Sequence, residues 1–388
     1  MKRVAVGVFL CSSLLWAGSS KDSSELVITN VNVVDTRYGG IEPNATVIVK
    51  DGVIEAVAKF ALINAGPQVR VINAEGRYLI PGLWDMDVHL LAQANSTSTR
   101  NALFARYLAS GVTGLRDMDS MNRTATDTEF RPEIEPAEPF WSLQKTSSRG
   151  LSLFERRTVE GLAEIRAHCL GVSAEVADPT QECDPSRARD LFLTLSETAT
   201  WMVPDLISGV MRPEGSRPAA DTSPDDVPLT PAKTALLSHE KELKVPTETQ
   251  RDLDLVSEMR RTGVQFLAGT NGPTGGLTPG LSLHQELELL VMGGFTPLQA
   301  LQAATFNPAL YMARLDKYGV VEHGHYGDLV LLEENPLVDI RNTRKIFAMV
   351  IRGKYFSAAE MQDVLEQAEE NAGGEVSAAK PAAPRSAQ

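Results

Sequence analysis

The sequence predicts an α/β protein with a barrel-like or parallel-sheet middle, flanked by a β-sandwich built from both chain ends. Three observations carry this. Short apolar runs separated by turn signals fill residues 25–80. From Pro81 strand-like runs alternate with helical patterns, and near Gly327 the β texture returns. Alternation of the two periodicities points to parallel strands joined by helices.

The elements follow in chain order. Lys2 and Arg3 precede an apolar run from Val4 to Ala17, and the small residues Gly18, Ser19 and Ser20 come next. This is the layout of a cleaved secretory signal over residues 1–20. It predicts export to a periplasmic or extracellular space, and the run is too short to span a bilayer. Leu26–Ile28, Val31–Val34, Thr46–Val49, Val53-Ile54, Val69–Ile72 and Tyr78–Ile80 read as short strands. Asp51-Gly52 reads as a hairpin turn. A composite β domain is therefore expected over 21–82 and 325–360.

Between them, residues 83–324 alternate. Asn101–Ala109, Leu253–Arg261, Glu286–Met292 and Pro297–Ala304 have helical spacing; Gly111–Leu115 and Val264–Ala268 read as extended. Residues 212–232 hold five prolines and read as a loop. Asp328–Leu332 and Ile346–Ile351 are strands. Residues 361–388, rich in Ala, Glu, Pro and Ser, read as a disordered tail.

Composition excludes some functions. The net charge of −13 disfavours a nucleic-acid partner, because phosphate backbones repel an acidic chain. The 43% hydrophobic and 22% charged shares are those of a globular protein able to bury a core. Removal of the leader leaves two cysteines, Cys169 and Cys183. Oxidising surroundings permit a disulfide between them, and two free thiols are the other reading.

Several motifs carry a resemblance. Pro81-Gly82-Leu83-Trp84-Asp85-Met86-Asp87-Val88-His89-Leu90 resembles the first barrel strand of the amidohydrolase superfamily, in particular its imidazolonepropionase-like and Xaa-Pro dipeptidase-like exported members. Gly111–Met118 resembles the second strand, Trp201–Pro204 the seventh and Gly263–Pro273 the eighth. Leu283–Thr305 and Gly327–Val330 are similar to the C-terminal elements. The resemblance implies a (β/α)8 metal-dependent hydrolase barrel. It also implies hydrolysis of carbon–nitrogen bonds in a small amide or peptide-like substrate at the C-terminal rim of the strands.

The same resemblance implies a ligand set: a His-x-His pair, a modified Lys, two further His and an Asp. This sequence departs from it. The first-strand pair is Asp87 and His89, whose period-2 spacing puts both on one face. Asp can still ligate zinc or manganese. The eighth-strand Asp is Asn271, a neutral side chain that cannot act as the general base. Lys145 is the candidate for the Lys, with poorly matching flanks. The His expected directly after Glu160 is absent, and Gly161 stands there. The middle has room for one or two βα units fewer than the family pattern. Strand number and shear are linked, so a complete barrel and an incomplete, open one both stay open.

The candidate site is thus Asp87, His89 and Lys145 as metal residues and Asn271 in the catalytic position. The cofactor is a divalent ion, zinc first, or none. Two functions follow: a hydrolase with weak or altered metal-dependent activity, or a non-catalytic descendant that binds a small ligand or partner. Other candidates read as structural or solvated: His168, His239, His284, the second His-x-His at His323 and His325, and the carboxylate pairs Glu135/Glu138 and Asp225/Asp226.

Overall fold

The computed structural model describes residues 25–59, 69–90, 97–118, 158–170, 183–211, 243–273, 276–351 and 353–378. The expectations for residues 1–20, for the loop 212–232 and for Lys145, His239 and both loop carboxylate pairs lie outside them.

The first unit is β. Strands β1 (Glu25–Val34), β2 (Ile41–Lys50), β3 (Val53–Ala58), β4 (Val69–Asn73) and β5 (Tyr78–Pro81) come from the N-terminal segment. The two apolar runs of the first strand form one strand with register shifts between Ile28 and Val33. Asp51 and Gly52 both have positive φ, 50° and 81°, the requirement of the tight hairpin turn between β2 and β3.

The α/β part follows. It contains β6 (Leu83–Val88), α1 (Thr97–Ala109), β7 (Val112–Asp117), β8 (Thr158–Glu160), α2 (Ala163–Leu170), α3 (Pro185–Glu197) and β9 (Trp201–Val203). Next come α4 (Leu206–Met211), α5 (Thr247–Arg261), β10 (Gln265–Phe266), α6 (Leu281–Met292), α7 (Pro297–Ala303) and α8 (Phe306–Tyr311). The chain then returns to the first unit as β11 (Leu329–Leu332), β12 (Ile346–Ile351) and β13 (Lys354–Ser357), and ends in α9 (Ala358–Ala378).

Strands from both chain ends form one eight-stranded sheet, ordered β13-β12-β11-β5-β1-β2-β3 with β4 on β1. Its core includes Leu26, Ile28, Val47, Val49, Leu329, Leu331 and Val350. The composite origin matches expectation, while hydrogen bonding joins the strands into a single sheet.

The parallel strands are arranged as two sheets, β6-β7 and β10-β9-β8. Backbone bonds join them: Met86 N–H donates to Ala268 O at 2.9 Å and His89 N–H to Gly272 O at 2.7 Å. A parallel bridge pairs Val88 with Gly272. The strands therefore run in the order β7-β6-β10-β9-β8. Among the described residues the array is open between β7 and β8, so the open alternative describes it and a closed eight-stranded barrel does not. The ladder of β10 covers only Gln265 and Phe266, but its pairing with β6 continues through Gly272. The main core, with Phe104, Tyr107, Phe192, Met202, Leu253, Leu287 and Leu290, packs the helices onto these strands.

Two sequence readings change. The tail expected to be disordered over 361–388 is helical to Ala378. Its Ala and Glu residues are strong helix formers. Met361, Leu365 and Ala372 recur on one face and are buried. Leu365 packs on Ala105 of α1, and Glu369 pairs with Arg106 at 2.8 Å. The composition that suggested disorder belongs to a helix with a narrow apolar stripe. The cysteine alternatives resolve to a Cys169–Cys183 disulfide, with Cα atoms 5.0 Å apart, joining α2 to the start of α3. No helix among the described residues is long and apolar enough to cross a membrane.

Candidate functional site

The alternating geometry of a strand sends residues 85, 87 and 89 to the same side. The pairing of β6 with the segment after β10 then brings three sequence candidates to one strand end. Asn271 N–H donates to Asp87 O at 2.9 Å, while His89 N–H donates to Gly272 O. Asn271 has φ 56°, a left-handed conformation that Asn tolerates better than most residues. Close approach of the two segments requires Gly269. A Cβ there would stand 2.7 Å from Asp87 Cβ and 2.5 Å from Val203 Cγ1.

Within the pair, His89 Nε2 is 3.6 Å from Asp87 Oδ1. The Asp87 side chain is buried at 4% exposure, and His89 is accessible at 34%. The separation is that of an ion pair, longer than a hydrogen bond. An accessible imidazole therefore stands in front of a buried carboxyl.

Behind them lies Asp85, fully buried. Its Oδ2 accepts the Thr270 hydroxyl at 2.7 Å and its Oδ1 the Thr270 N–H at 3.1 Å, so it ties β6 to the segment carrying Asn271. Burial pushes the Asp85 carboxyl up to about 8; the Thr270 hydroxyl opposes that shift and the nearby Asp87 charge adds to it.

Sequence reasoning missed two further acids and a phenol. Asp205 directly follows β9 and Pro204 and is buried. Its carboxyl lies within hydrogen-bonding reach of Asp87. Burial raises it well above the usual carboxylate range, and the charges of Asp87 and Glu286 raise it further, since neighbouring buried carboxyls resist joint ionisation. Glu286, in the middle of α6, is fully buried and pushed up to about 8 by burial, opposed by the Ile207 and Leu206 N–H groups. Tyr107 of α1 is raised well above its ordinary value by burial and by Asp85, Asp117 and Asp87. Asp85 shares the two-residue spacing of Asp87 and His89, and Asp205 lies two residues past the end of β9. Those positions were the available signals.

Gly161 directly follows Glu160, where the resemblance led us to expect a His. Asp205 Oδ2 is 3.8 Å from where a Cβ on Gly161 would stand. An acid from the next strand thus approaches the position that lacks an imidazole.

Among the described residues no three His, Cys, Asp or Glu side chains are grouped so as to hold one ion. Asp87 and His89 converge, Asn271 is neutral, and Lys145 lies outside the described residues. The described donors do not fit the family's metal centre.

The remaining histidines among the described residues are structural or solvent-facing. His325 binds the Leu315 carbonyl at 2.8 Å and His323 that of Glu55 at 2.8 Å. His168 is exposed on α2. His284 contacts the Ser110 carbonyl and the Thr343 hydroxyl, both at 2.9 Å. It lines a cavity of about 170 Å³ with Ser110, Arg344 and Met361. That cavity contains none of the strand-end acids, so the chemistry of the residues locates the candidate site better than the size of a hole does.

Comparison with known proteins gives this geometry a family. Residues 227–356 match the amidohydrolase family, a stretch that includes Asn271 and Glu286 but not Asp87 or His89. An adenine deaminase of Latilactobacillus sakei subsp. sakei is 21% identical over 343 residues, 84% of this chain and 58% of that enzyme. Ochratoxinase of Aspergillus niger is 39% identical over 82 residues, 21% of this chain and 16% of that enzyme. The chain thus spans less than two thirds of the length of these relatives. Among solved structures, molinate hydrolase superposes with a TM-score of 0.56 at 16% identity, covering 94% of this chain and 99% of that one. A Xaa-Pro dipeptidase superposes at 0.53 with 15% identity, covering 86% and 100%. At such identities the structural likeness speaks for the fold. Together with the family match over residues 227–356, it makes the chain similar to amidohydrolase family proteins in that segment and in fold.

Proposed function

We propose that this protein hydrolyses a carbon–nitrogen bond in a small amide or peptide-like molecule, using an altered site. The observation that carries the reading is the Asp87–His89 pair, with the imidazole accessible and the carboxyl buried behind it at 3.6 Å. A buried carboxyl behind an accessible imidazole orients the ring, which suits His89 to take a proton from water and return it to a leaving amine. Hydrogen bonds of this kind tighten when substrate binds. The relatives support the bond class: they include an adenine deaminase, an ochratoxinase and a Xaa-Pro dipeptidase. Among the described residues no three donors are grouped to hold an ion, so the reading rests on the Asp87–His89 pair. The reading includes export, supported by the N-terminal pattern and by the Cys169–Cys183 disulfide.

A second reading has its own observation. Asn271 is neutral and no three-donor group is present among the described residues, which favours a ligand-binding descendant without turnover. One experiment separates the two. The protein, purified without chelators, is assayed for bound zinc, manganese, iron and nickel, and against amides, dipeptides and lactams, beside His89→Ala and Asp87→Asn. Turnover lost in both variants supports the hydrolase. Turnover unchanged in His89→Ala rejects the site. Ligand-dependent thermal stabilisation without turnover supports the second reading.

A further inference from the structure

The sequence places Asp205 immediately before helix α4. An Asp there is the expected N-cap, its carboxylate accepting an N–H of the first turn from an extended backbone. The structure assigns that task elsewhere. Glu286 reaches from the middle of α6, and its Oε2 accepts the Ile207 N–H at 2.8 Å. The Leu206 N–H also points to this carboxyl. Asp205 itself has φ 49°, left-handed rather than extended. Its carbonyl, not its carboxyl, takes the Ser208 N–H at 3.1 Å and the Ser208 hydroxyl at 2.8 Å. The carboxyl is released from capping. It lies beside Asp87, and its Oδ1 is buried with no hydrogen-bond partner.

We propose that Glu286 is a positioning residue which, by capping α4 from another helix, holds Asp205 in the site beside Asp87. Without Glu286 two preferences would act together. The exposed N–H groups of α4 would attract the nearest carboxylate, and Asp205 would leave a buried place in which it and Asp87 cannot both ionise. Both carry Asp205 onto the helix. The inference rests on the reading of Asp87 as a site residue, and it adds Asp205 as a second acid there.

The test uses the full chain with Glu286→Leu, Glu286→Gln and Asp205→Ala. Glu286→Gln keeps an oxygen for the Ile207 N–H, so its crystal structure should retain positive φ at residue 205 and the carboxyl at Asp87. Glu286→Leu should show an extended residue 205 with its carboxyl on the first turn of α4. Should Glu286→Leu not fold, Asp205→Ala decides. It leaves α4 capped by Glu286, so its melting temperature should equal or exceed that of the wild type. A lower melting temperature in Asp205→Ala, or an unmoved Asp205 in Glu286→Leu, overturns the proposal. Turnover lost in Asp205→Ala and Glu286→Leu and kept in Glu286→Gln would extend it to chemistry. Absence of turnover in the wild type counts against the hydrolase reading alone, since the structural outcomes do not depend on it.

Discussion

Arg116 of β7 donates from Nη2 to the Thr158 hydroxyl of β8 at 3.1 Å. Its Nη1 donates to the Met86 carbonyl of β6 at 3.2 Å. Among the described residues β7 and β8 are the outer strands of the parallel array, and one buried guanidinium bridges these two edges. The Tyr311 ring lies 5.5 Å from the same guanidinium. Replacement by Met should cost about 1–3 kcal/mol, the range for a broken buried hydrogen bond that leaves its partners unsatisfied. Chemical denaturation measures this. A change under a few tenths of a kcal/mol would mean the bridge does not hold the array together.

Gly269 makes a separate prediction. A Cβ at this position meets Asp87 Cβ at 2.7 Å and Val203 Cγ1 at 2.5 Å, neither of them the end of a flexible chain. Gly269→Ala should therefore push β6 away from β10 and destabilise by about 1–3 kcal/mol, as overpacking does. The Asp87–His89 geometry should be disturbed with it. A crystal structure of the variant with both strands in place would reject this.

How much of this could be read from the chain depended on the range of the interaction. The shared strand-end placement of Asp87, His89 and Asn271 was legible because strand periodicity and local motifs act within a few residues. The hairpin at Asp51-Gly52 was legible for the same reason. Glu286 was not, since helical spacing marks it only as part of an apolar face, and its partner Ile207 lies 79 residues away. Asp205 was not legible either: its position before α4 suits a helix cap, and a residue from a distant helix takes that task instead. The C-terminal helix was misread because Ala and Glu serve both disorder and helix, and only contact with α1 decides between them.

Buried carboxyls set a pH dependence. Asp85 and Glu286 are each held near 8, against ordinary values near 4. Between these limits the native state binds more protons than the unfolded state, so stability falls as pH rises. Their contribution is fully present below pH 4 and is lost as pH passes through 8. Asp339 and Glu360, held low by Arg341 and by Ser357, act oppositely, and their contribution falls away in acid. Melting temperature should therefore peak in mildly acidic solution and decline toward pH 9. Asp85→Asn, which still accepts from Thr270, should flatten that decline. An equal slope in wild type and variant would show that Asp85 ionises freely.

The Cys169–Cys183 disulfide closes a short loop between α2 and α3. Loops of about this length contribute ~3 kcal/mol by restricting the unfolded chain. Replacing both cysteines with Ser should lower stability by that order, and reductant should then have no further effect. Equal stability of oxidised wild type and double variant would remove the disulfide as a structural element.

The Asn271 backbone is fixed beside Asp87, and its side-chain amide is neutral where the resemblance leads one to expect a carboxylate. Asn271→Asp adds an anion to a strand end that already gathers Asp85, Asp87 and Asp205. In the absence of a cation, the variant should melt below the wild type because like charges are crowded in a buried place. Added zinc should reverse the order, since an ion bound only by the folded state stabilises it by mass action. Thermal melts with and without zinc, together with elemental analysis, read both arms. A variant that is destabilised and takes up no more zinc than the wild type would mean that restoring the carboxylate is insufficient. The missing imidazole at Gly161 would then be the deeper loss.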